Sequence, residues 1–493
     1  MYSNQPNNDQ HHPSRRAFLR RAGQLTMTGT ALPLALNLAA MGEAAAFNAT
    51  DYKALVCVFL YGGNDYANTV VTYDDPSYNI YHAVRGGGAG QSAGGIALGK
   101  SSLAATLLKP TTALPGGRQY ALHPAMTGLA GLFNAGHAAV QLNVGPLRVP
   151  LTRAQYAGSN RTLYPLPPKL FSHNDQQSIW QSSSPEGASV GWGGNIGDLA
   201  LAPNGTNSLF TCISVTGNAV FLPGDAALAY QMGLNGAVKI NALTDLYGSP
   251  AASTVMSQII QQTRSHVLEK EYNRVTKRAI TAGNTVGNAL APFPATNAPF
   301  NAFPASNNLA DQLKVVARMI AARTSLGLKR QVFFVSLSGF DLHDNLISQQ
   351  SGQLGMVSSA MTAFYNATVA LGVANQVTTF TASDFGRTLT SNGDGSDHGW
   401  GGHHFMVGGA VKGKAFYGEA PPVSVGNTSA AQDQWHVGQG RLLPRTSVDQ
   451  YAATLAKWFG VADTELAGIL PNLKNFGAAA NRPDYPTNLG FML

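Results

Sequence analysis

The chain has 493 residues, a formal net charge of +7, 12% charged residues, 54 glycines and two cysteines. Two cysteines exclude a disulfide-stapled scaffold and a cysteine-based zinc module. The positive excess looks thinly spread, which argues against a nucleic-acid partner, and the sparse charge leaves a surface of Asn, Ser, Thr and Gln that suits an envelope or secreted protein.

The N-terminus reads Ser14-Arg15-Arg16-Ala17-Phe18-Leu19, followed by an apolar-rich stretch from Ala22 to Met41 and then Ala44-Ala45-Ala46. This is the pattern of a twin-arginine export signal, residues 1–46, cleaved before Phe47. It implies passage through the twin-arginine export machinery in the folded state. The expected location is the periplasm or the exterior, with no stable membrane insertion once the signal is removed. The remaining 47–493 carries a net charge of about +5 and is long enough for one large domain.

Ala54 to Tyr61 is an unbroken apolar run, the signature of a strand buried on both faces of a parallel sheet. It ends in Gly62-Gly63-Asn64-Asp65. Cys57 inside it reads as a small buried hydrophobe, with a Cys57–Cys212 disulfide as the alternative. Residues 86–95 form a Gly/Ser-rich loop without the dinucleotide-binding spacing. A helix is expected over His123 to Gly136 and a strand over Ala139 to Val144. Ser172 opens a helix with a hydroxyl and the His173 imidazole at its positive end, a place that stabilises anions.

Leu209 to Val215 and Ala219 to Leu222 resemble short strands. Val255 to Ile280 reads as one helical stretch, Ala291 to Ser306 as a connector, and about 225–308 as an insertion or cap. Leu309, Leu313, Val316 and Ile320 mark an amphipathic helix. Gln331 to Leu337 is the next buried strand and ends in Ser338-Gly339-Phe340-Asp341-Leu342-His343. Leu354 to Leu371 is helical. A further buried strand starts at Val377 and stops at Ser383-Asp384, before a Gly-rich loop with Asp394, Asp397, His398, His403 and His404. Ser447 and Gln450 form a capping box for a helix through Phe459.

Three buried strands thus end in a small residue followed by acids or imidazoles: Asp65; Asp341 and His343; Asp384 and then His398. Ligands of open α/β sheets sit beyond the carboxyl ends of parallel strands. Clustered buried carboxylates need a cation, and Asp with His suits a divalent ion. The expected fold is three-layer α/β/α with a mostly parallel central sheet.

The motifs YGGND at 61–65, SHNDQQSIWQ at 172–181, GFDLHDN at 339–345, SDFGRT at 383–388, SDHGWGGHHF at 396–405 and TSVDQYAATLAKWFGV at 446–461 resemble the exported bacterial domain-of-unknown-function family 1501. That family is grouped with the alkaline phosphatase, sulfatase and phosphopentomutase superfamily. The resemblance implies an alkaline-phosphatase-like domain holding one or two divalent ions (zinc, manganese, magnesium or calcium). It implies hydrolysis of a phosphate or sulfate ester on a small molecule or glycan. It assigns Asp65, Asp341, His343, Asp384 and His398 to the metal and Ser172 to the nucleophile, with His173 or a water as the substitute. Arg387 is placed to pair with a bound oxyanion or to make a structural salt bridge. Phe385 stands where the superfamily carries a histidine, so the alternative function is a non-catalytic, metal-stabilised envelope protein.

Gly187-Ala188-Ser189-Val190-Gly191 matches the G-x-S-x-G elbow of esterases. Polar residues precede it where a strand is required, and no helix is expected after it, so it is set aside.

Overall fold

A computed structural model describes residues 47, 49–86, 95–238, 240–243 and 245–493. The expected export signal, residues 1–46, and most of the Gly/Ser-rich loop lie outside the described residues.

The sheet is built on three adjacent strands: β1 (Lys53–Leu60), β8 (Arg330–Leu337) and β9 (Val377–Ser383). The other strands are β2 (Val70–Thr72), β3 (Tyr120–Leu122), β4 (Ala138–Gly145), β5 (Cys212–Ser214), β6 (Ala229–Gly233), β7 (Gly236–Ala237), β10 (Gly402–Val407), β11 (Phe416–Tyr417) and β12 (Thr446–Ser447). The main sheet runs β11-β4-β10-β9-β1-β8-β5-β6-β7, with β12 beside β4; β2 and β3 pair separately. Pairings in the main sheet are parallel except those of β10 with β4 and β9, and of β6 with β7.

The helices used below are α1 (Tyr66–Thr69), α2 (Asp75–Val84), α3 (Thr127–Asn134), α4 (His173–Ser182), α5 (Trp192–Asn204), α6 (Pro250–Gln261), α7 (Val267–Leu290), α8 (Asn308–Ala321), α9 (Leu346–Ala370), α10 (Val448–Phe459) and α11 (Asp463–Ile469). They cover both faces of the sheet. Along β1, Val56, Val58 and Leu60 point into the core shared with α3, α8 and α9, while Leu55, Cys57 and Phe59 point into the core shared with α5, α10 and α11. Side chains alternate between faces along a strand, so two covered faces demand an apolar residue at every position. This is the expected three-layer α/β/α arrangement with a mostly parallel central sheet.

Several local expectations change. Ala219 to Leu222 is a turn rather than a strand: Phe221 and Leu222 are buried as anchors, and the Phe221 carbonyl accepts from Gly194 N in the first turn of α5. The stretch 255–280 is two helices, because Ser249 and Pro250 start α6 and the chain breaks at 262–266 before α7. A helix does follow Gly191, but no strand precedes Ser189, which is exposed. Cys57 and Cys212 are both free and buried. In the 225–308 segment, β6 pairs with β5, and Val286 and Leu290 of α7 join the main core. No helix among the described residues is long and apolar enough to cross a membrane.

The expected capping box is present: Ser447 accepts from the first turn of α10 and Gln450 returns to the Ser447 N–H. Beside it, Asp449 is buried, accepting from Asn472 N at 3.0 Å. Burial pushes its carboxyl up to about 6, against the partial relief given by Asn472 and Ser183. The folded state therefore holds this proton more tightly than the unfolded chain, whose carboxyl titrates near 3.8. The stabilisation is full below the unfolded value and is lost as pH rises through about 6. The stability of Asp449→Asn relative to wild type is expected to shift in the variant's favour by about 3 kcal/mol between acid and mildly alkaline pH, measured by denaturant unfolding across that range.

Candidate metal centre at the carboxyl edge of the sheet

The parallel register sets the site. Leu60 of β1 lies opposite Leu337 of β8 and Ser383 of β9, so the three strands end on one line. Ser383 ties two of these ends together, donating to the Leu60 carbonyl and accepting from Asn64 N. Close approach of the following loops depends on two glycines. Gly62 has φ +115°, and a Cβ there would lie 2.3 Å from Asp341 N; Gly63 has φ +83°, and a Cβ would run into the Phe385 ring. Both conditions select glycine.

At this edge Asp341 is surrounded by imidazoles. Its Oδ1 lies 3.2 Å from His398 Nε2 and 3.1 Å from His343 Nε2, and its Oδ2 lies 3.2 Å from His173 Nε2. Ligand atoms of His173, Asp341 and His398 all fall within 4.8 Å of one another. His343 Nε2 is 3.0 Å from His398 Nε2.

The other ring nitrogens are all held by oxygen. His173 Nδ1 lies 2.7 Å from Asp384 Oδ2, His398 Nδ1 lies 2.7 Å from the Phe171 carbonyl, and His343 Nδ1 lies 3.3 Å from Asp397 Oδ1. A carbonyl or carboxylate on Nδ1 fixes the proton there and leaves Nε2 as a lone pair. Three such lone pairs converge on one carboxylate.

Two atoms are left over. Asp384 is fully buried, and its Oδ1 has no hydrogen-bond partner, although Gln177 and His173 both serve Oδ2. His173 Nε2 is also buried without a hydrogen bond, since its approach to Asp341 is off-axis. Unpartnered polar atoms in a buried setting are costly, and the arrangement fits a cation coordinated by nitrogen and carboxylate.

The protonation states follow the same geometry. The hydrogen bond to Asp384 raises the His173 pKa, against the opposing effect of burial. Burial lowers that of His398, helped by the charges of Arg387 and His173 and opposed by the Phe171 carbonyl. Burial disfavours ionisation of Asp341, but the Arg387 hydrogen bond and charge outweigh it and hold its pKa below the usual carboxylate range.

Arg387 is fully buried and donates to Asp341 Oδ1 at 2.5 Å, to the Gly62 carbonyl at 3.2 Å and to the Ser396 carbonyl. Its guanidinium is engaged as a salt bridge within the edge. Ser172 is the N-cap residue of α4, and its hydroxyl donates to Asp175 Oδ2 at 2.9 Å. His173, the next residue, is the one that reaches the cluster. The Phe385 ring lies 5.0 Å from the His173 ring and 4.7 Å from the His398 ring, centroid to centroid. It is wedged between the two imidazoles.

Asp65 is placed differently from the other expected ligands. Its Oδ1 caps α1 by accepting from Ala67 N and Asn68 N at 3.0 Å. Arg85, just after α2 and fully buried, meets both carboxylate oxygens at 3.0 and 2.9 Å, and Ser396 donates to Oδ2 at 2.9 Å. None of these partners is an imidazole of the cluster. His403 and His404 also stand apart: they lie in β10, not in the loop, and burial drives both pKa values down to about 3.

Sequence reasoning missed Phe171, Gln177, Ser396 and Arg85. Gln177 had a signal, since it follows His173 by four residues and so shares its helix face. The Phe171 carbonyl had none. It is turned toward His398 by a backbone at φ +74°, which a non-glycine residue adopts only under tertiary constraint.

Fold and edge together define an α/β/α protein with an imidazole–carboxylate cluster beyond the ends of its parallel strands. The chain belongs to the family described as protein of unknown function (DUF1501), whose model matches residues 52–463. A comparison with curated proteins gave no match. Among solved structures, the chain is similar to the lipoteichoic acid synthase LtaP from Listeria monocytogenes, at 9% identity and a TM-score of 0.31, over 85% of this chain and 74% of that one. A likeness at that level carries no argument about the site.

The Asp65–Arg85 pair is expected to matter for stability and not for metal retention. Asp65→Ala leaves a buried guanidinium without its counter-charge and should cost about 3–5 kcal/mol in denaturant unfolding. Metal content measured on the folded fraction should stay at the wild-type level.

Proposed function

We propose that the protein is an exported metal-dependent hydrolase of the alkaline phosphatase/sulfatase type, acting on a phosphate or sulfate ester. The observation that carries this reading is the convergence of His173, His398 and His343 Nε2 on Asp341, with each Nδ1 held by an oxygen. The family grouping stated above adds to it.

In this reading His173, Asp341 and His398 hold one divalent ion, and His343 at the mouth of the site completes the donor set. Such an ion supplies Lewis acidity toward an ester oxygen and lowers the pKa of water. Asp384 acts through His173, fixing its tautomer and ring direction from the buried side. Arg387 keeps Asp341 ionised and aimed, so its charge is spent on the carboxylate and not on the substrate. Asp65 is left out of the ligand set. The attack is assigned to water and not to Ser172, whose hydroxyl is given to Asp175. Export by the twin-arginine route, folded and with the ion already in place, is part of the same proposal.

Phe385 favours a second reading. Its ring fills the space between two imidazoles and leaves donors for a single ion. A single ion serves equally well to stabilise a non-catalytic envelope protein.

Elemental analysis of the purified protein should find about one equivalent of a divalent transition metal. His173→Ala and His398→Ala should lose it, and Asp384→Asn should weaken binding about 10–100-fold. Turnover of an aryl phosphate or aryl sulfate should vanish with chelator and with His173→Ala, yet persist in Ser172→Ala. Unchanged metal and turnover in both histidine variants would refute the site. One tightly bound ion with no turnover by the wild type selects the non-catalytic reading.

A further inference from the structure

Away from the metal centre, the positive charge is less thinly spread than the sequence suggests. Residues 262–266 fold α6 back into a helical hairpin with α7. Residues 264–278 hold Arg264, Lys270, Arg274, Lys277 and Arg278 against Glu269 and Glu271. That net excess of three is more than half of the charge of 47–493. The basic residues of α7 also share a face. At about 100° per residue, Lys270, Arg274, Lys277 and Arg278 fall in one sector about 100° wide. This face turns toward residues 205–210, which lead into β5, and leaves a cleft of about 430 Å³ between them. Arg274, Lys277 and Arg278 form one wall, Thr206 and Asn207 the other. Phe210 and Ala282, which line the cleft as well, belong to the main core and give it a fixed base. The cleft precedes the amino end of β5, whereas the metal centre lies beyond the carboxyl end of β8, which runs parallel to β5.

The wall across from the cations is neutral, and no Asp or Glu lines the cleft among the described residues. Glu271, on the same face of α7, pairs with Arg274 at 2.7 Å. Lys277 and Arg278 make no ion pair among the described residues. Like charges three and four residues apart on a helix repel, as Arg274 does with Lys277, Lys270 and Arg278. An anion from solution relieves that repulsion, and a cleft lined by one sign of charge concentrates such counter-ions.

We propose that this cleft binds a ligand carrying two or more closely spaced phosphate or sulfate groups. Arg274 and Arg278 stand about 6 Å apart along the helix axis, so neighbouring oxyanions each meet a cation. The Arg278 guanidinium grips two oxygens at once, Lys277 adds a point charge, and the Thr206 and Thr281 hydroxyls donate to the oxygens that remain. A nucleic acid fits less well. Base stacking needs open aromatic faces, and the aromatic residue of the cleft, Phe210, is buried. The site is independent of any activity at the metal centre.

The test is calorimetric titration of the purified protein with tripolyphosphate and with a heparin-derived tetrasaccharide, which separate linked phosphates from a sulfated sugar as the source. At least one should bind, and more weakly when salt rises from about 0.1 M to about 0.5 M. Lys277→Glu with Arg278→Glu should weaken that binding at least about tenfold. Lys109→Glu with Lys474→Glu makes the same change in net charge elsewhere and should leave it intact. His173→Ala should leave it intact too, which separates this cleft from the metal centre. The four reversed side chains are exposed, so thermal melts should confirm folded variants. Binding of neither probe, equal loss in the two charge-reversed pairs, or loss in His173→Ala would each overturn the proposal. So would tighter binding of a single-stranded oligonucleotide through Lys277 and Arg278.

Discussion

The in-register parallel pairing of β9, β1 and β8 is the constraint on which the rest of the molecule depends. Parallel strands in register end together, so whatever each chain carries just past its last paired residue is delivered to one line. Here that delivers Asp384 one residue past β9, Asp341 four residues past β8 and Asp65 five residues past β1. Antiparallel order would have sent at least one of them to the opposite edge. The two covered faces make the sheet a rigid support, and the glycines after β1 let the neighbouring loops close over its end.

Rigidity of support matters because the cluster is a set of lone pairs held at fixed angles. Each imidazole is oriented from behind by a different kind of group: a buried carboxylate, a backbone carbonyl and a half-exposed carboxylate. Arg387 supplies the opposite control, a buried positive charge that keeps Asp341 ionised beside its histidines. The edge thus divides its charged groups by task. The Asp65–Arg85 and Asp341–Arg387 pairs hold the loops. The imidazoles turn Nε2 toward one another and toward Asp341, the convergence a coordinated ion needs.

The α6–α7 hairpin follows another logic. The cluster at the sheet edge buries charge and pairs almost all of it, whereas the hairpin leaves Val267, Leu268 and Tyr272 exposed, with Arg274 paired to Glu271 at its surface. The apolar stripe along α7 runs from Leu268 and Tyr272 into the main core at Ala282, Val286 and Ala289.

Much of this was legible in the residues. The unbroken apolar runs ending in Gly or Ser and then an acid dictated buried parallel strands, since no half-exposed strand tolerates an apolar residue at every position. From that followed the layer order and the edge at which Asp341, His343, Asp384 and His398 meet. The Ser447–Gln450 cap was equally plain, because its partners are three residues apart. What the tertiary structure decided was which acid meets which partner. Asp65 and Asp341 look alike in the sequence, each following glycine after a strand. Arg85 reaches the first from 20 residues away, and Arg387 and His398 reach the second from 46 and 57. The roles of Ser172 and His173 separated for the same reason, one side chain turning to Asp175 and the next to Asp384. Local pattern fixes which face a residue occupies, but the identity of a buried charge's partner is set by long-range packing, which no short stretch of sequence encodes.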